Sequence, residues 1–468
     1  MIRRLSKAPI LAATLLSTPA LAQVTVTQIA EGPAEDVSPS GVHVAGRSSA
    51  GGGYIWTDGS GVLLLGEDDA VGVNSTGTEA YGNMDDPATS LGSAGVYTVG
   101  SGWQELLGLP GDPGCSGTLS SAYGWSNDGG VATGLAWEGC MGRAFKWTPL
   151  TGVTMLPMSG TNSTRGNVVS GDGTFIGGWD RGNSSSNKAA LWKPDGTVSL
   201  PLAGTTGNPD GSGETWALST DGTYAAGRSP GGAFLFNESD GITLLDFFSP
   251  GNLSEARGVS DDGETVVGWE GGSGPFGSPP EAWIWRKGSG IELLTDVLTQ
   301  YGVAAPPYDL QRAMDVTPDG LTIVGHGLQQ PGFFANTGWM IELPPSPWDH
   351  LGGGTPGANG VPNLTGQGSC DAGSMARLRL EDAAASSSAF LGVSVTPAPI
   401  PLFGGILHAN PLDVVLVIAT DANGEFESFF TWPPSLMSGV SLTFQVGVID
   451  GAAAFTVALS NGLEGTTL

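Results

Sequence analysis

The chain has 468 residues, room for two or three domains, a formal net charge of −28 and only 13% charged residues. Phosphate binding needs clustered lysine and arginine, so nucleic acid and anionic membrane surfaces are not expected partners. Three cysteines, Cys115, Cys140 and Cys370, are too few for a disulfide scaffold.

The N-terminus reads MIRRLSKAPILAATLLSTPALAQ. Arg3, Arg4 and Lys7 precede a short apolar run, and Ala20-Leu21-Ala22 is a small-x-small cleavage site. Residues 1–22 are therefore read as a signal peptide, cleaved after Ala22, and the protein as secreted. The run is too short to span a bilayer, and no later stretch is long and apolar enough. Loss of the three basic residues takes the charge to about −31, which suits a soluble extracellular protein.

Seven related stretches follow: DVSPSGVHVAG (36–46), GVNSTGTEAYG (72–82), GWSNDGGVATG (124–134), VVSGDGTFIGG (168–178), ALSTDGTYAAG (217–227), GVSDDGETVVG (258–268) and DVTPDGLTIVG (315–325). Each has Ser, Thr or Asn, two residues, Gly, four residues and a second Gly. An aromatic-rich strand usually comes next, such as GYIW (53–56), AFKW (144–147) or AWIW (282–285). A run such as GVLLL (61–65) or GIELL (290–294) closes the unit. Strands separated by Asp-Gly are a hairpin signal, because Gly accepts positive φ without a steric penalty. Four short strands per unit, at irregular steps of 36 to 57 residues, read as propeller blades. Asp262 is a turn residue in this reading. A calcium loop needs several alternating oxygen ligands, which no unit supplies.

The seventh unit lacks its fourth strand: after GWMIELP (338–344) come further prolines. The strand VTVTQI (24–29) has no unit of its own. It is predicted to pair with GWMIEL and close the ring, which also removes an open edge. Residues 23–345 thus form a predicted seven-bladed β-propeller with four strands per blade.

The units resemble the bacterial extracellular HAF repeats, whose pattern is a β-branched residue, Ser, x, Asp-Gly, a Val-Val-Gly strand, Ala-Phe-x-Trp and a Gly-x-x-x-Leu strand. The likeness covers roughly 30–344. It implies architecture and an extracellular setting, and it carries no catalytic residues.

Residues 346–369 are rich in Gly and Pro and read as a linker. Then MARLRL (375–380), AFLGVSV (389–395), DVVLVIAT (413–420), FESFFTW (426–432), SLTFQVGVID (441–450) and FTVALSNGL (455–463) alternate or run apolar between turns. They predict a small C-terminal β-sandwich over 370–468. Its GTPG, the GGIL at 404–407, the Phe-Gln at 444–445 and the final LSNGL resemble a module found on secreted proteins of environmental bacteria. That likeness implies an accessory, attachment or sorting role. The fold class expected for the whole chain is all-β.

No catalytic motif is present: no Gly-x-Ser-x-Gly, His-Glu-x-x-His, phosphate loop or Cys-x-x-Cys. No cofactor or metal is expected. His43 and His326 fall in units that would be ring neighbours, but a metal needs a third ligand. Trp56, Trp147, Trp192 and Trp285 recur at one repeat position and read as packing. The residue after the second Gly varies and is often large. Arg47, Trp179, Arg228, Trp269 and His326 stand there, and are read as opening the loop between second and third strands. Trp and Arg there stack on sugar rings or clamp carboxylates, which makes these five the ligand-binding candidates. Cys115 and Cys140 fall in loops on that same face and are the expected disulfide pair, contributing roughly 3 kcal/mol.

The function expected is a secreted, non-enzymatic protein binding an extracellular polysaccharide or surface protein through the loop face. The alternatives are a polysaccharide hydrolase or lyase working in the central channel, and a structural cell-surface component.

Overall fold

The computed structural model describes residues 24–66, 69–106, 118–199, 212–245, 252–272, 278–329 and 336–467. The expected leader and Cys115 lie outside them.

Seven four-stranded antiparallel sheets occur among the described residues. The first runs from the axis outwards through Ala34–Val37, His43–Arg47, Gly53–Thr57 and Gly61–Leu64. Five more repeat this order, with inner strands Asp69–Val73, Ser120–Trp125, Thr164–Val169, Glu214–Leu218 and Leu253–Val259. The seventh takes Arg312–Val316, Thr322–Leu328 and Asn336–Glu342, and its outer strand is Thr25–Glu31, paired with Thr25 opposite Glu342. Each sheet packs on the next, and the seventh packs on the first. The architecture is a closed β-propeller.

The paired glycines have separate causes. The first Gly of every unit has φ between 66° and 77°, the left-handed conformation a tight turn demands. At Asp262, Oδ1 accepts the Glu264 N–H at 2.9 Å and the Ser260 hydroxyl at 2.5 Å, which fixes the turn. The second Gly has no room for a side chain. A Cβ on Gly178 would overlap the carbonyl oxygen of Arg165, and the other six units show the same overlap.

Apolar layers fill the space between sheets. Ala45, Ile55 and Leu65 of the first meet Ala70, Val73 and Ala80 of the second. Tyr54 and Trp56 meet Val324 and Met340 of the seventh. The recurring Trp residues belong to these layers: Trp56 and Trp192 are buried, Trp147 and Trp285 partly so. A short helix, Leu294–Gln300, buries Leu294, Val297 and Leu298 against the sixth and seventh sheets.

Beyond the ring, strands Trp348–Gly352, Gly462–Thr466, Ser441–Ile449, Ser388–Ser394 and Val414–Ala419 form one sheet, with Val457–Leu459 beside it. Asn363–Gln367, Met375–Glu381 and Phe426–Thr431 form another. Trp348, Leu378, Trp432 and Phe444 lie in the core between them. The reading of 346–369 as a linker is therefore corrected. It contributes one strand to each sheet, and Trp348 is 2% exposed at the centre of the core. Its Gly and Pro content masked those strands. The sandwich is tied to the sixth sheet by Gly366 N–H to Gly288 O at 2.8 Å and Gln367 Nε2–H to Ser289 O at 3.1 Å. No helix among the described residues is long and apolar enough to cross a membrane.

Candidate functional site

Every inner strand carries a β-bulge at the same place, three residues before the Ser, Thr or Asn of its turn. The bulged residues are Glu35, Val71, Tyr123, Asn167, Trp216, Arg257 and Met314. A bulge re-aims its side chain, and all seven line one axial cavity of about 400 Å³. The same distortion brings an inner-strand carbonyl over the second Gly. A constant backbone device thus presents seven different side chains to a common space.

Charge at the mouth of this channel is organised around Glu214 and Glu255, both buried. Glu214 accepts from Arg165 at 2.7 Å and Arg228 at 3.4 Å, with Asn167 and Asn187 at 3.3 and 3.1 Å. Glu255 lies 3.3 Å from Arg257 and 3.8 Å from Arg228. The guanidinium groups also lie over aromatic rings. Arg257 is 4.2 Å from the Trp216 centroid, Arg165 is 4.8 Å from that of Tyr123, and Arg312 is 4.3 Å from that of Trp269. Face contact with a ring holds a guanidinium while leaving its N–H edge free.

Deeper in the channel, Asp36 of the first sheet touches Asp315 of the seventh. Asp315 Oδ2 accepts the Val37 N–H at 3.0 Å, and Asp36 Oδ2 accepts the Val73 N–H at 2.8 Å. Both keep some surface towards the cavity yet lie deep within the ring. Burial, then the charge of Asp315, raises Asp36 well above the usual carboxyl range; burial raises Asp315 to about 6. The contact between the two carboxyls and their burial hold the pair above the usual carboxyl range.

The five residues singled out after the second Gly sit differently from expectation. They do not open a loop: Trp179, Arg228, Trp269 and His326 lie inside second strands and Arg47 ends one, because those strands continue past the glycine. Four of them pair with the inner strand, Trp179 with Arg165, Arg228 with Glu214, Trp269 with Glu255 and His326 with Arg312. Arg47 lines the cavity and binds Glu35 at 2.7 Å. Trp179 is buried, with Arg165 and Arg181 over its ring. Arg228 and Trp269 hold Glu214 and Arg312 respectively. His326 is pressed down to about 4, chiefly by burial, and its buried Nδ1 has no hydrogen-bond partner. These side chains back the bulged ring and orient it.

His43 and His326 stand at opposite ends of corresponding strands. His43 Nδ1 lies 3.0 Å from Thr57 Oγ1, and its ring covers Gly77. No group of three or more metal-ligating side chains occurs among the described residues. Cys140 is disulfide-bonded and Cys370 is free and buried.

No protein-family model matches the chain, and no curated protein matches it. The likenesses to HAF repeats and to the C-terminal module therefore rest on their motif residues alone. Among solved structures, the chain is similar to TolB from Acinetobacter baumannii, at 13% identity and a TM-score of 0.37, over 68% of this chain and 81% of that one. It is also similar to the β-propeller domain of the trilobed protease from Pyrococcus furiosus, at 10% identity and a TM-score of 0.42, over 67% and 96%. These are likenesses of architecture and bring no activity to this chain.

Proposed function

We propose that this is a secreted binding protein that takes an extracellular polysaccharide at the mouth of its propeller channel. One observation carries the reading: seven equivalent bulges expose seven different residues to one cavity. Structure alone would be served by equivalent small residues at those places. Variation on a constant frame is what selective recognition uses. The mixture supports a saccharide, since Arg257 and Glu35 bring planar polar groups to the cavity and Tyr123 offers a partly exposed aromatic face. The touching Asp36–Asp315 pair lacks the separation of about 5–10 Å between acid and base that glycoside hydrolysis uses.

The test is retention of the full chain on a panel of immobilised polysaccharides, beside Glu35→Gln and Tyr123→Ala. Retention weakened by either change supports the channel mouth as the site. Retention untouched by both places recognition elsewhere, and no retention on any polymer removes the saccharide reading. Secretion is tested separately: mass spectrometry of the exported protein should find Gln23 as the first residue.

A further inference from the structure

The channel mouth is electrically lopsided. From the fourth to the seventh sheet, four guanidinium groups, Arg165, Arg228, Arg257 and Arg312, face two buried carboxylates, Glu214 and Glu255. In a chain with a formal charge of −28, and beside a cavity also lined by Glu35, Asp36, Asp69, Asp261 and Asp315, this sector is the cationic one. A half-buried charge without a counter-ion is costly, and ordinary folding would place one of the many carboxylates beside it.

Arg312 is the residue left over. Its guanidinium lies 4.3 Å from the Trp269 centroid, and it makes no ion pair among the described residues. Arg257 is near enough to repel it, while Glu255 and Glu35 act on it only from beyond contact distance. The His326 paired with it in register carries no compensating charge. Stacking fixes the plane of the Arg312 fork, and a fixed planar fork is complementary to a carboxylate, which it binds through two parallel hydrogen bonds.

Building on the reading of the mouth as a saccharide site, we propose that the ligand is an acidic polysaccharide, with the carboxylate of a uronic acid unit held by Arg312 and Arg257 beside it. Neutral parts of the chain then lie against Tyr123 and Trp216 of the cavity lining. The anion completes a charge arrangement that the protein leaves unfinished. A carboxylate-bearing peptide would satisfy Arg312 but not the saccharide-type surface next to it.

The experiment is titration calorimetry of the full chain with polygalacturonate, with alginate, and with each polymer after reduction of its carboxyl groups. Dextran sulfate and polyglutamate complete the set, and Arg312→Gln and Arg312→Lys are compared with the parent. The expected result is roughly ten- to hundredfold tighter binding of one polyuronate than of its reduced form. Arg312→Gln abolishes that preference and keeps the affinity for the reduced polymer. Arg312→Lys, which keeps charge but not the fork, retains only part of the preference. Equal binding of acidic and reduced polymers overturns this inference and leaves the saccharide reading standing. A preference untouched by Arg312→Gln, or matched by dextran sulfate, also overturns it. Binding of polyglutamate alone, or of nothing, overturns both. Unchanged melting temperatures certify that the variants are folded.

Discussion

Asp36 and Asp315 meet across the join of the first and seventh sheets, and each accepts a backbone N–H from the following sheet. Two carboxyls thereby link three sheets: Asp315 reaches from the seventh to Val37 of the first, and Asp36 from the first to Val73 of the second. The join between the two ends of the ring is thus held at its inner edge by this pair and at its outer edge by Thr25–Glu31.

The pair makes stability depend on pH in a defined sense. Both carboxyls bind their proton more tightly in the fold than in the unfolded chain. Their contribution is complete below an ordinary aspartate pKa of about 4 and is lost as pH rises through the folded values, about 6 for Asp315. Between pH 5 and 8 the unfolding free energy from urea titration should fall, by on the order of 2 kcal/mol from this source. Asp36→Asn, which cannot ionise, should flatten the profile. An unchanged slope in that variant would show that other groups set it.

Gly178 and Gly196 separate two reasons for having glycine. A Cβ at Gly178 meets the Arg165 carbonyl, whereas at Gly196, with φ of 81°, it meets open space. Gly178→Ala should cost about 2–4 kcal/mol by displacing backbone, and Gly196→Ala about 1 kcal/mol for its positive φ. Equal costs in chemical denaturation would mean that the bulge yields without penalty.

Glu214 anchors the charged mouth through Arg165, Arg228, Asn167 and Asn187. Glu214→Gln strands the Arg165 guanidinium and leaves Arg228 only Glu255 at 3.8 Å, with an expected loss of about 2–4 kcal/mol. In a double-mutant cycle with Arg165→Gln the coupling should reach at least about 1 kcal/mol. Strict additivity of the two changes would contradict the pairing at 2.7 Å.

Deleting residues 24–31 should open the ring at its outer edge. Val24 and Ile29 are both buried, so roughly 3–6 kcal/mol is at stake from their burial. Amides of 338–342 should lose hydrogen-exchange protection, and a peptide spanning 24–31 added in trans should restore it. Full protection in the deleted chain would mean that the strand is dispensable.

Much of the architecture was legible because each unit repeats the same turn chemistry. Asp-Gly turns, Gly pairs and aromatic strands leave marks in a single sequence. The bulges left a fainter mark. Glu35, Tyr123, Trp216 and Arg257 share nothing but their offset from the turn, and variable residues at a fixed offset are visible only once the units are aligned on it. The residues after the second Gly, such as Trp179, stand out in the sequence because the fixed glycine makes their variation conspicuous. They proved to be the backing of the ring. The Asp36–Asp315 contact was hidden because its members are 279 positions apart in the numbering. In 346–369, Gly and Pro outweighed short strands whose burial depends on distant partners such as Phe444. The run VVLVIA (414–419) reads as a strand covered on both faces, yet it is an edge strand on which Val417 is 75% exposed.

The pairing of Thr25 with Glu342 also sets a schedule. A ribosome releases Thr25–Glu31 among the earliest segments and Asn336–Glu342 more than 300 residues later. At about 5–20 residues per second, the first strand waits some 15 to 60 seconds for its partner. Throughout that time six sheets can assemble from neighbours in the chain, while the seventh cannot. The ring is thus a clasp that fastens last, and anything that occupies Thr25–Glu31 during synthesis holds the molecule open.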